Sequence, residues 1–155
     1  MKDNKNVLWI PAKSSIDLVS DVVEFFKYSA KKQGLDIKFD LAYDMIQSKN
    51  YADLKLKEYD LILIDNFNAS MGVVPLENTD HNLLTGVIFF EDFLKDKPEE
   101  KPVSVQIWTF GLPMCVRAND YISQKSYKQI KGVVDIGFIT KKDLFERIKD
   151  SLFPN

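Results

Sequence analysis

The sequence predicts a doubly wound α/β domain built on a five-stranded parallel sheet, and three observations carry that expectation. Val7-Leu8-Trp9-Ile10 and Leu61-Ile62-Leu63-Ile64 are short, continuous apolar runs, the pattern of strands covered on both faces. Between such runs stand segments with apolar residues every three or four positions, and the two kinds alternate along the chain. Each of these two runs ends on a residue that stops a strand, Pro11 in one case and Asp65 in the other.

The first strand covers Val7 to Ile10. Ser14 or Ser15 stands where it can cap the helix that follows, whose apolar face is Ile16, Val19, Val22, Val23, Phe26 and Ala30 and whose stop is Gly34. Ile37, Phe39 and Leu41 alternate with polar neighbours as a half-buried second strand, and a weakly patterned stretch through Leu54 and Leu56 predicts a short helix. Leu61 to Ile64 form the third and most apolar strand, closed by Asp65 and the polar run from Asn66 to Ser70. Met71 to Asn82 has no periodicity and reads as a loop longer than most connections in compact domains. Leu84, Val87, Ile88, Phe90, Phe93 and Leu94 restore helical spacing, with Lys97 and Pro98 as the stop. Val103, Val105 and Ile107 predict a fourth strand, Ile122 to Ile130 a helix stopped near Gly132, and Val133 to Ile139 a fifth strand. Leu144, Phe145, Ile148 and Leu152 are the apolar face of a last helix. Alternation of this kind implies right-handed crossovers, with ligand sites at the carboxyl ends of the strands.

No repeat, low-complexity tract or linker divides the chain, so residues 1–155 are expected to fold as a single domain. Apolar residues make up 45% of it and charged residues 28%, a balance that excludes a disordered or fibrous chain. Lys and Arg total 21 against 23 Asp and Glu, so there is no field to gather a polyanion and nucleic acid is not an expected partner. No apolar run approaches the ~18 residues that span a bilayer, and Glu91 with Asp92 interrupts the stretch from Leu83 to Leu94, so no membrane association is expected. The single cysteine, Cys115, cannot form an internal disulfide, and the chain does not open on a basic stretch followed by an apolar one; the expected location is the cytoplasm.

By the strand-end rule, the positions that can carry chemistry are 11–13, 65–67, 109–112 and 140–142. His81 falls in the polar loop and reads as an exposed loop residue, and Cys115 has no CxxC neighbour or nearby His and reads as an inert thiol. One His and one Cys exclude a His/Cys metal cluster, and no glycine-rich phosphate loop follows the first strand. Each of three further positions has a plain structural reading: Asp65 as a polar strand terminus, Thr109 as a β-branched strand residue, Lys141 as a solvated residue in the first turn of the last helix.

Beyond those plain readings, several segments resemble one known family. Tyr59-Asp60-Leu61-Ile62-Leu63-Ile64-Asp65 is similar to the third strand of response-regulator receiver domains, which ends in the aspartate that accepts a phosphoryl group from a histidine kinase. Gly86 before an apolar helix resembles the family's glycine after the acceptor loop, here reached through a longer insertion. Ile107-Trp108-Thr109 resembles the fourth strand, whose closing hydroxyl bonds the phosphoryl group. The segment from Ile130 to Lys141 resembles the family's last strand, in which an aromatic switch residue lies three before a lysine. The resemblance spans nearly the whole chain in strand order and implies a sheet of order 2-1-3-4-5, flavodoxin-like in topology. It also implies Asp65 as phosphoacceptor and Thr109, Phe138 and Lys141 as the phosphoryl-binding and switch residues.

The chain departs from the family where the chemistry is most demanding. The family holds magnesium on two acidic residues after the first strand, and Pro11 and Ala12 stand there. Lys142 stands in place of the proline that usually follows the lysine, and the bulky Phe110 in place of the small residue after the threonine. The resulting expectation is a degenerate receiver, a pseudo-receiver with no cofactor and no magnesium, in which Lys13 and Lys141 balance the charge of Asp65. It would be a regulatory protein-interaction module and no enzyme, meeting a histidine kinase or output protein, or pairing as a homodimer through its last strand and the flanking helices. Two alternatives stay open: an atypical response regulator phosphorylated on Asp65 in a two-component phosphorelay, and a flavodoxin-like small-molecule binder with the 71–82 loop as a lid.

Overall fold

In the computed structural model the described residues are 4–12, 16–95 and 102–154, with the side chains of 16–18 set aside. Lys13, expected as a partner of Asp65, the capping Ser14 and Ser15, and the stop at Lys97 and Pro98 all lie outside them. Five strands alternate with five helices: β1 (Asn4–Ile10), α1 (Ile16–Lys32), β2 (Asp36–Leu41), α2 (Met45–Lys55), β3 (Leu61–Asp65), α3 (Thr85–Phe89), β4 (Ser104–Thr109), α4 (Leu112–Ser123), β5 (Ile130–Asp135) and α5 (Lys141–Leu152). All the strand pairs are parallel, in the order β2-β1-β3-β4-β5. This is the doubly wound sheet that the buried apolar runs predict.

Alternate side chains of the central strands feed two cores, one on each face. Leu8, Ile10, Ile62, Ile64, Val105 and Ile107 pack under α2, α3 and the segment after it, with Phe89 and Phe90 fully buried. Val7, Trp9, Leu61, Leu63 and Trp108 pack under α1 and α5. On that side Trp9 meets Trp108 edge-on at 5.3 Å, and Phe26 of α1 meets Phe145 of α5 at 6.1 Å. Removing side chains of this size from water stabilises by about 2 kcal/mol each, which is why β3 tolerates no polar residue before its last position.

One polar side chain enters this core by design of its partners. Gln106, in the middle of β4, donates to the Arg147 carbonyl (3.0 Å) and to Ser151 Oγ (2.8 Å) and accepts from Trp108 Nε1 (3.1 Å), so its amide ties α5 to the sheet.

Three sequence expectations are corrected. The fourth helix runs Leu112–Ser123 in place of the expected Ile122–Ile130: Pro113 sits in its first turn, Gly111 at φ +96° turns the chain into it, and Ser126 at φ +54° prevents its continuation. The fifth strand runs Ile130–Asp135 in place of Val133–Ile139: its first residues pair with β4 across a bulge in which Lys131 is the extra residue between Ile130, opposite Val105, and Gly132, opposite Gln106. The Asp135 side chain then accepts from Gly137 N–H (3.0 Å) and closes a 3₁₀ turn, Ile136–Phe138, so Phe138 leaves the strand altogether. The helix from Leu84 changes to a π-helical segment, Phe90–Leu94, closed by the Lys95 N–H on the Phe90 carbonyl (2.8 Å). It ends at Leu94, before Lys97.

Candidate functional site

The strand-end rule directs attention to the carboxyl edge of β3, where buried polar groups gather. Asp65, Asn66, Asn68, Ser70, Thr79, Thr85 and Thr109 are all buried there, in a molecule whose other interior is almost wholly apolar. Asn66 is the keystone. Its N–H donates to the Trp108 carbonyl (2.8 Å), its carbonyl accepts from Gly86 N–H (3.2 Å), and its Oδ1 accepts from Val87 N–H (3.0 Å), so one residue joins β3, β4 and α3. Gly86 is required by that approach: a Cβ there would lie 2.8 Å from Ile64 Cγ2 and 2.9 Å from the Asp65 carbonyl oxygen. The strand-end rule includes Asn66 among positions 65–67 without giving it a role; the structure makes it the link between β3, β4 and α3.

Asp65 is 5% exposed. Its carboxylate accepts from the backbone N–H of Phe67 (Oδ1, 3.1 Å) and from the backbone N–H of Ala12. Burial outweighs both donors and pushes its pKa up to about 7. Among the described residues no Lys or Arg nitrogen lies within 4 Å of it. Lys141 is exposed in the first turn of α5 and holds no ion pair with Asp65, so the expected balancing of this carboxylate by Lys141 is corrected; the contribution of Lys13 lies outside the described residues.

The other two candidates take up different positions. Thr109 is fully buried and its hydroxyl donates to the Val134 carbonyl of β5 (3.4 Å), across the sheet. Phe138 is 85% exposed on the turn after β5. Asp135, which the sequence reading did not select, links the loops carrying Phe110 and Phe138: its Oδ1 accepts from both Gly111 N–H (2.9 Å) and Gly137 N–H (3.0 Å).

The long loop is ordered by its own polar groups. Residues 76–78 form a 3₁₀ turn, Asp80, His81 and Asn82 are all left-handed (φ +49° to +67°), and Asn82 Oδ1 accepts from Ser70 N–H at 3.2 Å. An ion pair of 2.5 Å between Asp80 and Arg117 ties the loop to α4. His81 is exposed, as the sequence predicts, and Cys115 is half-buried on α4.

Magnesium requires several well-placed oxygens. At Asp65 the protein offers one carboxylate already engaged by two N–H donors, flanked by Pro11 and the aliphatic Ala12, and no group of three or more His, Cys, Asp or Glu gathers among the described residues. This donor set does not fit that ion. Nor is any helix of the described residues long and apolar enough to cross a membrane.

No protein-family model matches the chain, and no curated protein does. Among solved structures it is similar to a response regulator receiver domain protein from Clostridium thermocellum, with 13% identity over 96% of this chain and 94% of that one at a TM-score of 0.56. It also aligns with a putative pilus assembly-related protein from Burkholderia pseudomallei, with 10% identity over 98% and 92% of the two chains at a TM-score of 0.48. The first likeness, together with the strand order, establishes a receiver-like, flavodoxin-like α/β fold.

Proposed function

We propose that this chain is a receiver-like signalling domain that acts as a protein-interaction module without accepting a phosphoryl group. The observation that carries the reading is at Asp65, where the Ala12 N–H supplies a hydrogen-bond donor on the side where the resemblance would put magnesium-binding carboxylates. Phosphoryl transfer to a carboxylate needs an ionised nucleophile and cations that neutralise charge as the bond forms. Burial pushes the Asp65 pKa up to about 7, which leaves much of it protonated at neutral pH, and among the described residues no Lys or Arg pairs with it. The Thr109 hydroxyl, which would read a phosphoryl group, is turned to the Val134 carbonyl. A domain of this kind needs no cofactor and catalyses nothing; it signals by docking to a protein such as a histidine kinase or an output protein.

A second reading, phosphorylation of Asp65 in a phosphorelay, is favoured by the place of that residue at the carboxyl end of β3. Incubation with acetyl phosphate and magnesium, followed by intact mass measurement of wild type and Asp65→Asn, separates the two. The interaction module predicts unchanged masses. A gain of about 80 Da confined to wild type, the mass of one phosphoryl group, would establish the second reading.

A further inference from the structure

Gly132 stands inside β5 without either of the reasons that commonly place glycine in a strand. Its φ is not positive, and a Cβ added there would meet no heavy atom within 4 Å. The bulge beside it has Lys131 as its extra residue. Glycine weakens a strand, so a position that offers room for a side chain and has none keeps a space open. That space is the floor of a cleft of about 450 Å³ between the outer part of the sheet and α5, walled by Ser104 of β4 and by Arg147, Asp150 and Ser151 of α5. The volume is within the range that holds small molecules.

The cleft is held in shape from beneath. Gln106, opposite Gly132 in the ladder and 2% exposed, directs its amide N–H groups to the Arg147 carbonyl and to Ser151 Oγ, which fixes the helix wall relative to the floor. Among the described residues three charged side chains line the cleft: Lys131, Arg147 and Asp150. Lys131 Nζ donates to the Lys128 carbonyl (3.1 Å). Arg147 has an acidic residue one turn away on either side, Asp143 and Asp150, and pairs with neither within 4 Å; Asp150 pairs with no cation. Glu146 and Lys149, their neighbours on α5, pair with each other and bond Gln33, and none of these three lines the cleft. The hydroxyls of Ser104 and Ser151 donate to no acceptor among the described residues.

We infer that this cleft binds a small zwitterion of the amino-acid type, its carboxylate on the Arg147 guanidinium, its ammonium on Asp150 and its side chain over Gly132 and Val134. The arginine fork takes a carboxylate through two parallel N–H groups, and the serine hydroxyls supply further donors. A simple anion would be repelled by Asp150, and a simple cation by Arg147 and Lys131. A molecule carrying both charges close together answers an arginine and an aspartate one helical turn apart, whose Cβ atoms stand roughly 5–6 Å from each other. The cleft opens on the face of the sheet beside α5, apart from the carboxyl-end rim at Asp65, so the inference goes beyond the interaction-module reading and does not depend on it.

The common amino acids, added singly at millimolar concentration to the full chain and followed by titration calorimetry and amide NMR spectra, test this directly. At least one should bind saturably and shift the amide signals of Gly132 and Ser151 while that of Asn66 stays in place. Its two one-charge analogues, the acid lacking the amino group and the amine lacking the carboxyl group, should not bind. Arg147→Met and Asp150→Asn, both at exposed positions, should each weaken binding at least about tenfold. Gly132→Val should abolish binding and leave the fold at least as stable as wild type in urea denaturation, because a β-branched residue suits a strand and has room there. No saturable binding by any amino acid, equal binding of a one-charge analogue, or binding that survives Arg147→Met or Gly132→Val would overturn the inference. So would amide shifts confined to the Asp65 rim. Should Gly132→Val fail to fold, the two α5 variants and the analogues decide the matter.

Discussion

Asp65→Asn is the substitution through which the electrostatics of this site is most directly measured. The carboxyl has a pKa near 7 in the folded chain against 3.8 in the unfolded one, raised by burial and only partly offset by the Phe67 and Ala12 N–H groups. Below about pH 4 both states carry the proton and the group costs nothing; between about pH 4 and pH 7 only the unfolded chain releases it; above that both are ionised. The folded state is therefore penalised progressively as pH rises, by about three pKa units or roughly 4 kcal/mol in full, an upper figure because water reaching the carboxylate would reduce it. In a domain of this size that corresponds to a fall in Tm on the order of 10 °C. Urea denaturation of both chains at about pH 5 and about pH 8 isolates the group, since every other titration is shared. Wild type should lose stability relative to Asp65→Asn as pH rises. A constant difference, or a wild type that gains relative to the variant over that interval, would refute the argument and restore the ion-paired carboxylate that the sequence alone suggests.

Four further outcomes follow from individual contacts. Gly86→Ala should cost about 2 kcal/mol or more in urea denaturation, because its Cβ would overlap Ile64 Cγ2 and the backbone of Asp65 and Asn66. His81→Gly should raise stability by roughly 1 kcal/mol in the same assay, since His81 is exposed and left-handed at φ +56° and glycine pays no Cβ penalty there. Glu91 accepts from the hydroxyls of both Tyr121 and Tyr127, one on each carboxylate oxygen, and so fastens the π-helical segment to the end of α4 and the turn beyond it. Glu91→Leu should therefore cost about 2 kcal/mol and bring the Tyr121 phenol, held up near 12 by burial and that carboxylate, back toward its ordinary titration, visible as the tyrosinate absorbance. Phe138→Ser should leave stability within about 0.5 kcal/mol in urea denaturation, as its ring is already in solvent.

The parts of this molecule written in apolar periodicity were readable, and the parts written in hydrogen bonds were not. Leu61 to Ile64 and Val7 to Ile10 announce central strands because burial on both faces leaves no place for a polar residue. The start of α4 was obscured because Leu112, Met114 and Val116 do not form an apolar stripe that faces the core; Ala118 is its one buried residue, and the decisive signals were Gly111 and Pro113. β5 begins three residues and ends four residues before the expected bounds: it continues back through a one-residue bulge opposite Val105 and Gln106 and stops at the turn that Asp135 closes, and no periodicity records either. At the site, Asp65 was found from its position at a strand end, but the ion pair with Lys141 expected beside it is not made. Sequence shows which cations exist, here Lys13 and Lys141, but not how far their ammonium groups stand from a carboxylate. The Ala12 N–H, invisible in any motif, is a donor to that carboxylate.

These backbone donors bear on what the site can be used for. Where a cation neutralises a buried carboxylate, the carboxylate is ionised at all working pH values and adding a dianionic group next to it is electrostatically supported. Where, among the described residues, two backbone N–H groups are the donors to a buried carboxylate, each further negative charge adds to the cost that burial already imposes. The interior polar layer of Asn66, Asn68, Ser70 and Thr85 does not relieve that cost, because its hydrogen bonds run to backbone carbonyls, to N–H groups and within the loop, away from the Asp65 carboxylate. It holds the loop in shape. Shape is also what Asp135 supplies on the neighbouring rim, where its Oδ1 holds the loops carrying Phe110 and Phe138 together.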